Sequence, residues 1–201
     1  GETLDELAEF AGVKDRVAAI TARAMNGELD FEAALDERVG LLDGLSTDML
    51  AEAWKTVEYT GGAKTLVATM KANGAFAALV SGGFDFFTAA VRKELGFDFD
   101  QANVLMTKDG KLTGKVQKPV LDRQAKVDAL ENLTEEHGMT VDDAMAVGDG
   151  ANDLQMISLA GTGVAFHAKP SVREQARICI NHGDLTALLY LQGYRKSEFV
   201  V

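Results

Sequence analysis

A chain of 201 residues with 47% hydrophobic and 25% charged composition can bury a core as one large domain or two small ones, and general disorder is excluded. Its formal net charge of -11 argues against a nucleic-acid binder, which needs a basic stripe. The same charge repels anionic ligands unless a cation or local donors intervene.

The first sixty residues read as a small helical bundle. Leu4, Leu7, Ala8 and Ala11 follow helical spacing, with Gly12 as a stop. A second helix is expected from Val13 to Met25, ending at Asn26-Gly27. Asp30 looks like the N-cap of a helix from Phe31 to Leu42, with Phe31, Leu35, Val39 and Leu42 on one face. Ser46 or Thr47 starts a fourth helix that runs through Trp54.

After Gly61-Gly62 the pattern changes. Ala63 to Lys71 is helical, Phe76 to Val80 reads as a buried strand, and Phe84 to Leu95 is helical again. Val104 to Met106 and Leu112 to Val116 flank Asp109-Gly110, a strong hairpin turn. A long helix follows from about Leu121 to His137. Asp143 to Val147, Gly163 to Phe166 and Ile178 to Ile180 read as strands, separated by helices at Asp153 to Leu159 and Val172 to Ala176. A last helix spans Leu185 to Leu191. Strands alternating with helices indicate an α/β fold with a doubly wound parallel sheet.

No apolar run approaches membrane-spanning length, and the acidic start Gly1-Glu2-Thr3-Leu4-Asp5-Glu6 lacks the basic, apolar pattern of a signal sequence. The single cysteine, Cys179, cannot form an internal disulfide; it is expected in the core, and a cytosolic location follows as the default.

In such folds ligands bind outside the carboxyl ends of the strands. Val80-Ser81-Gly82-Gly83-Phe84 is one segment in that position. A serine hydroxyl and free N–H groups at a helix start suit phosphoryl oxygens, although Gly-Gly after a strand also serves as a plain tight turn. Val147-Gly148-Asp149-Gly150-Ala151-Asn152-Asp153 is the other. Its three oxygen-bearing side chains suit a hard cation such as Mg²⁺, while the bland alternative makes Asp149 and Asn152 mere helix caps. An EF-hand loop fits poorly, because Ala151 and Ala160 stand where oxygen ligands are needed. Lys126, by spacing alone, is a solvated helical lysine. His137, His167 and His182 show no metal-ligand spacing and read as surface residues.

Ser81-Gly82-Gly83-Phe84, Lys126 and Gly148-Asp149-Gly150-Ala151-Asn152-Asp153 resemble the second, third and fourth motifs of the haloacid-dehalogenase-type phosphatases. Glu2-Thr3-Leu4-Asp5-Glu6-Leu7-Ala8, Met25-Asn26-Gly27-Glu28-Leu29-Asp30-Phe31 and Leu35-Asp36-Glu37-Arg38-Val39 are similar to the helical cap of those members that act on O-phospho-L-serine. The resemblance runs in order over essentially the whole chain. It implies a helical cap at 1–59, a Rossmann-like core at 60–201, Mg²⁺ as cofactor and an aspartyl-phosphate intermediate. It further implies Asp149 and Asp153 at the metal, Asn152 near the phosphoryl group, and Ser81 with the Gly82 amide on phosphoryl oxygens. Lys126 would neutralise charge beside the nucleophile. In the cap, Glu2 would pair with the substrate ammonium, Arg38 with its carboxylate, and Met25 and Phe31 would close over the site. Read without the resemblance, Glu2 and Arg38 are solvated helix charges, and Met25 and Phe31 are core.

The family's first motif, Asp-x-Asp-x-Thr or Ser, carries the nucleophile and is expected just before Gly1. Asp98-Phe99-Asp100 has the spacing but not the hydroxyl residue or the place in the order. Its strand would lie between the strand ending at Ser81 and that ending near Gly148, which therefore should not pair with each other. A phosphotransferase of the same fold and a catalytically dead binding module remain alternatives.

Overall fold

The computed structural model describes residues 2–201, and of Glu2 only the backbone. The helical spacing of the first sixty residues is realised as α1 (Glu2–Phe10), α2 (Lys14–Met25), α3 (Phe31–Gly40) and α4 (Asp48–Trp54). Asp30 caps α3 as expected, its Oδ1 accepting from Ala33 N at 2.7 Å. Before α4 it is Ser46 whose Oγ accepts, from Asp48 N at 3.3 Å, while Thr47 makes no side-chain cap.

By its internal contacts the chain divides into two compact units. The first contains 1–59, 81–94 and 99–120. Its core gathers Leu7, Val17 and Val39 from the helices, Leu42 from the turn after α3, Phe84 and Phe87 from around the start of α6 (Asp85–Leu95), and Leu105, Leu112 and Val116 from a hairpin. That hairpin pairs β3 (Leu105–Lys108) with β4 (Lys111–Val116) in antiparallel register, Lys108 opposite Lys111. Its turn residues Asp109 and Gly110 have φ of 51° and 73°, the left-handed pair that a tight two-residue hairpin requires. The division expected at Tyr59 and Thr60 coincides with one boundary between the units. The first unit extends beyond it because Phe84, Phe87 and the hairpin share the helical core.

The second unit contains 60–80, 95–98 and 121–201. It holds α5 (Ala63–Ala72), α7 (Arg123–Glu136), α8 (Leu154–Leu159), α9 (Pro170–Arg173) and α10 (Ala187–Leu191). Its sheet is parallel, in the order β5 (Met145–Gly148), β6 (Thr162–Phe166), β7 (Ile178–Ile180). Residues 163–166 of β6 are all buried, as a strand covered on both faces must be. Gly163 makes this possible: a Cβ there would collide with the Ile157 carbonyl of α8. Asp122 caps α7, accepting from Gln124 N at 2.8 Å and Ala125 N at 3.3 Å.

β1 (Ala78–Phe84) departs from expectation at both ends, starting later than Phe76 and running through Ser81-Gly82-Gly83 to Phe84. It pairs with β2 (Phe99–Asn103), a strand with no sequence signal, because its residues Phe-Asp-Gln-Ala-Asn show no clean apolar alternation. β1 and β5 are not hydrogen-bonded to each other; the described residues form three separate sheets.

Cys179 corrects another expectation. It is exposed, not core. Among the described strands β7 has a neighbour on one side only, and its central residue faces out, with the thiol donating to Arg173 O at 3.5 Å. Among the described residues no helix is long and apolar enough to cross a membrane.

Candidate active site

In the second unit, the segment after β5 is organised by one carboxylate. Asp153 is 5% exposed, and its Oδ2 accepts from Asp149 N at 3.1 Å and Gly150 N at 3.0 Å. Its Oδ1 accepts from Lys126 Nζ at 2.5 Å, and Lys126 is only 7% exposed. The solvated reading of Lys126 is therefore wrong. A lysine that far from water requires its counter-charge, and α7 delivers it to Asp153. Gly148 lets the pair form, since any Cβ there would overlap the Asp153 side chain.

The loop N–H groups are thus satisfied by Asp153, not by Asp149 or Asn152, which removes the plain capping explanation for those two residues. Asp149 is exposed, and its carboxylate takes no hydrogen bond from a described residue; only its backbone carbonyl accepts, from Lys169 N at 3.3 Å. It lines a cleft of about 370 Å³ with Thr60, Val147, Gly148, Phe166 and His167. Asn152 is exposed one turn on.

No three His, Cys, Asp or Glu residues cluster as a metal cage among the described residues. A small hard cation does not need one, because it keeps several waters and takes one or two carboxylates. Asp149 fits a direct ligand. Asp153, with both oxygens already accepting, fits a contact through a metal-bound water.

In the first unit, β1 and α3 bring Ser81, Gly82 and Phe31 together. Ser81 is half-buried and its Oγ accepts from Gly83 N at 3.0 Å. The tip of the Phe31 ring lies 3.8 Å from where a Cβ on Gly82 would stand. Phe31 is 41% exposed and Met25 79%, so neither is the core residue that its apolar character alone would make it. Arg38 lies two turns beyond Phe31 on α3, half-buried, with Nε donating to Ala34 O at 3.0 Å. Burial pushes its pKa down from the usual arginine value, and the charge of Asp5 opposes that shift in part. It has no ion pair with a described residue, so a partly desolvated cation is left to meet an anion. The Glu2 side chain lies outside the described residues.

Sequence reasoning placed His167 at the surface, as it is, but not in the cleft beside Asp149. It is exposed, as are His137 and His182, but it lines the same cleft as Asp149 with its ring stacked on Phe166 at 4.1 Å. Its φ of 45° is unusual for a residue other than glycine. The available signal was position: His167 follows β6 as Asp149 follows β5, both at carboxyl ends of parallel strands.

A family model described as haloacid dehalogenase-like hydrolase matches residues 2–158. The chain belongs to this family. Among its curated relatives, the phosphoserine phosphatase of Methanocaldococcus jannaschii is 44% identical over 188 residues, covering 94% of this chain and 89% of its own. That of Streptomyces coelicolor is 45% identical over 197 residues, covering 98% of this chain but 48% of its own, and that of Haemophilus influenzae is 45% identical with 60% of its own length covered. The chain thus spans about half to three fifths of the latter two relatives. Among solved structures, a probable phosphoserine phosphatase from Vibrio cholerae aligns with a TM-score of 0.91 at 40% identity, over 96% of this chain and 59% of that one. A structure described as a phospho-aspartyl intermediate analogue of phosphoserine phosphatase aligns with a TM-score of 0.86 at 43% identity, over 95% of this chain and 91% of that one. These likenesses bear out the expected α/β fold of the haloacid-dehalogenase type.

Proposed function

We propose that the protein to which this chain belongs is a Mg²⁺-dependent phosphoserine phosphatase. It hydrolyses O-phospho-L-serine to L-serine and phosphate through an aspartyl-phosphate. The observation that carries this reading is the Lys126–Asp153 pair holding the Asp149 loop, with the Asp149 carboxylate left unpartnered at the end of β5. A structural ion pair alone would not require an exposed carboxylate suspended by its backbone. The phosphoserine phosphatases among the relatives supply the substrate class.

In this reading the nucleophilic aspartate comes from residues other than these 201, whose sequence contains no Asp-x-Asp-x-Thr or Ser. Its carboxylate attacks phosphorus, the serine alkoxide leaves and takes a proton, and water then cleaves the acyl phosphate. Lys126 supplies positive charge beside the nucleophile, and Asp153 holds the ammonium in place. Ser81 and the Gly82 amide donate to phosphoryl oxygens, and Asn152 contacts the same group. Asp149 and Asp153 would hold Mg²⁺, whose charge would offset repulsion between the nucleophile and the phosphoryl oxygens. Residues 1–59 act as the cap, where Arg38 meets the substrate carboxylate, Glu2 its ammonium, and Met25 and Phe31 exclude water. Residues 60–201 act as the core, and the single cysteine fits a cytosolic enzyme.

The test is phosphate release by the full-length protein from L-phosphoserine, with and without Mg²⁺. Release that ignores chelation, or phosphohomoserine formed in place of free phosphate when homoserine is added, would refute the reading.

A further inference from the structure

Ser81 is assigned to phosphoryl oxygens in the reading above, but a serine hydroxyl rotates freely unless something fixes it. The structure supplies such a restraint. Asn103, the last residue of β2, is 2% exposed, and its Nδ2 donates to Gly82 O at 3.1 Å. The other polar end of the same peptide unit, Gly83 N–H, donates to Ser81 Oγ at 3.0 Å. One peptide plane is therefore held at both ends, C=O by Asn103 and N–H by Ser81.

Glycine on both sides of that peptide leaves few steric barriers to its rotation, so these two bonds add to the pairing of β1 with β2 in holding its orientation. The polarity of the second bond matters. Because Ser81 Oγ accepts from Gly83 N–H, its own hydrogen points elsewhere and is available to donate to an anion.

We propose that Asn103 is a positioning residue for the anion-binding turn. Through the Gly82 carbonyl it fixes the Gly82–Gly83 peptide, and through that peptide it presents the Ser81 hydroxyl as a donor to phosphoryl oxygens. Asn103 itself touches no substrate. The proposal rests on the phosphatase reading of Ser81.

Asn103→Asp keeps the size of the side chain but removes the donor, and Asn103→Leu removes it without adding charge. Either removes the side-chain hydrogen bond to the Gly82 carbonyl and with it one restraint on the peptide. Inorganic phosphate, as an inhibitor of the full-length enzyme, reads the anion site without the cap's amino-acid contacts. The inhibition constant for phosphate is expected to rise about ten-fold in both variants, the loss of one hydrogen bond to a charged group. KM for phosphoserine and for a phosphomonoester without a carboxylate should rise by that same factor, at temperatures where circular dichroism shows both variants folded. Folded variants inhibited by phosphate as strongly as the parent enzyme would overturn the proposal alone. A parent enzyme that phosphate does not inhibit would overturn the phosphatase reading and the proposal with it. If neither variant folds, nuclear magnetic resonance on the parent protein decides. The Asn103 carboxamide protons should be protected from exchange and should shift on phosphate saturation; rapid exchange or unmoved resonances would overturn the proposal.

Discussion

Arg38 holds a positive charge half out of water with a single backbone hydrogen bond to its Nε. Such a group gains most from a carboxylate that meets it in a planar, two-point contact. Arg38→Ala should therefore raise KM for phosphoserine much more than for a phosphate ester lacking a carboxylate, by about ten-fold or more for one charge-assisted bond. Equal losses on both substrates would remove Arg38 from substrate recognition. Asp149 poses a parallel case. Asp149→Asn replaces a carboxylate with a poorer ligand for a hard cation, so the Mg²⁺ concentration for half-maximal activity should rise together with the loss of rate. The loop should survive the change, because Asp153 holds the Asp149 N–H through the backbone. An unchanged Mg²⁺ requirement would rule out the ligand role.

At the scale of elements, short-range chemistry was legible and long-range pairing was not. Asp30 before Phe31 and Asp109-Gly110 between two apolar runs announced a cap and a hairpin, since both devices are local. β2 was hidden because Phe99–Asn103 owes its strand to pairing with β1, and a polar segment gives no periodicity to read. Lys126 and Asp153 are 27 residues apart, so nothing in the lysine's own neighbourhood revealed its burial. The family motifs located both residues; the structure adds that they bind each other.

Tyr59 shows a similar distant tie, donating to Glu94 Oε2 of α6 at 2.5 Å, with Trp54 edge-on at 6.4 Å. Partial burial and then the Glu94 bond raise its phenol from 10.0 to about 12. A folded-state pKa above the unfolded one gives stability that is complete below pH 10 and is lost as the pH rises toward 12. The unfolding midpoint should fall across that window, and Tyr59→Phe should abolish that part of the fall. A parallel pH dependence in the Phe variant would show the bond to be incidental.

Over these 201 residues, the charge of -11 works against capture of a dianionic ester and favours a divalent cation. Raising monovalent salt from low to physiological strength, with Mg²⁺ held saturating, should lower KM for phosphoserine by screening the general repulsion. A rise would mean that a local positive field outweighs the net charge. Either trend should be absent for competition by L-serine, a zwitterion with no net charge.

The Lys126–Asp153 pair also ties chemistry to survival of the protein in a cell. Removing one partner of a buried ion pair costs about 3–5 kcal/mol, a large share of the 5–15 kcal/mol that holds a typical domain together. Asp153→Ala should accordingly reach the cell as scarce protein, cleared by proteases before its turnover is ever rate-limiting. Immunoblots should show Asp153→Ala depleted and Asp149→Asn near normal abundance, although both strains would fail to grow wherever this activity is essential. Growth alone would score the two substitutions alike, one for want of enzyme and the other for want of a ligand.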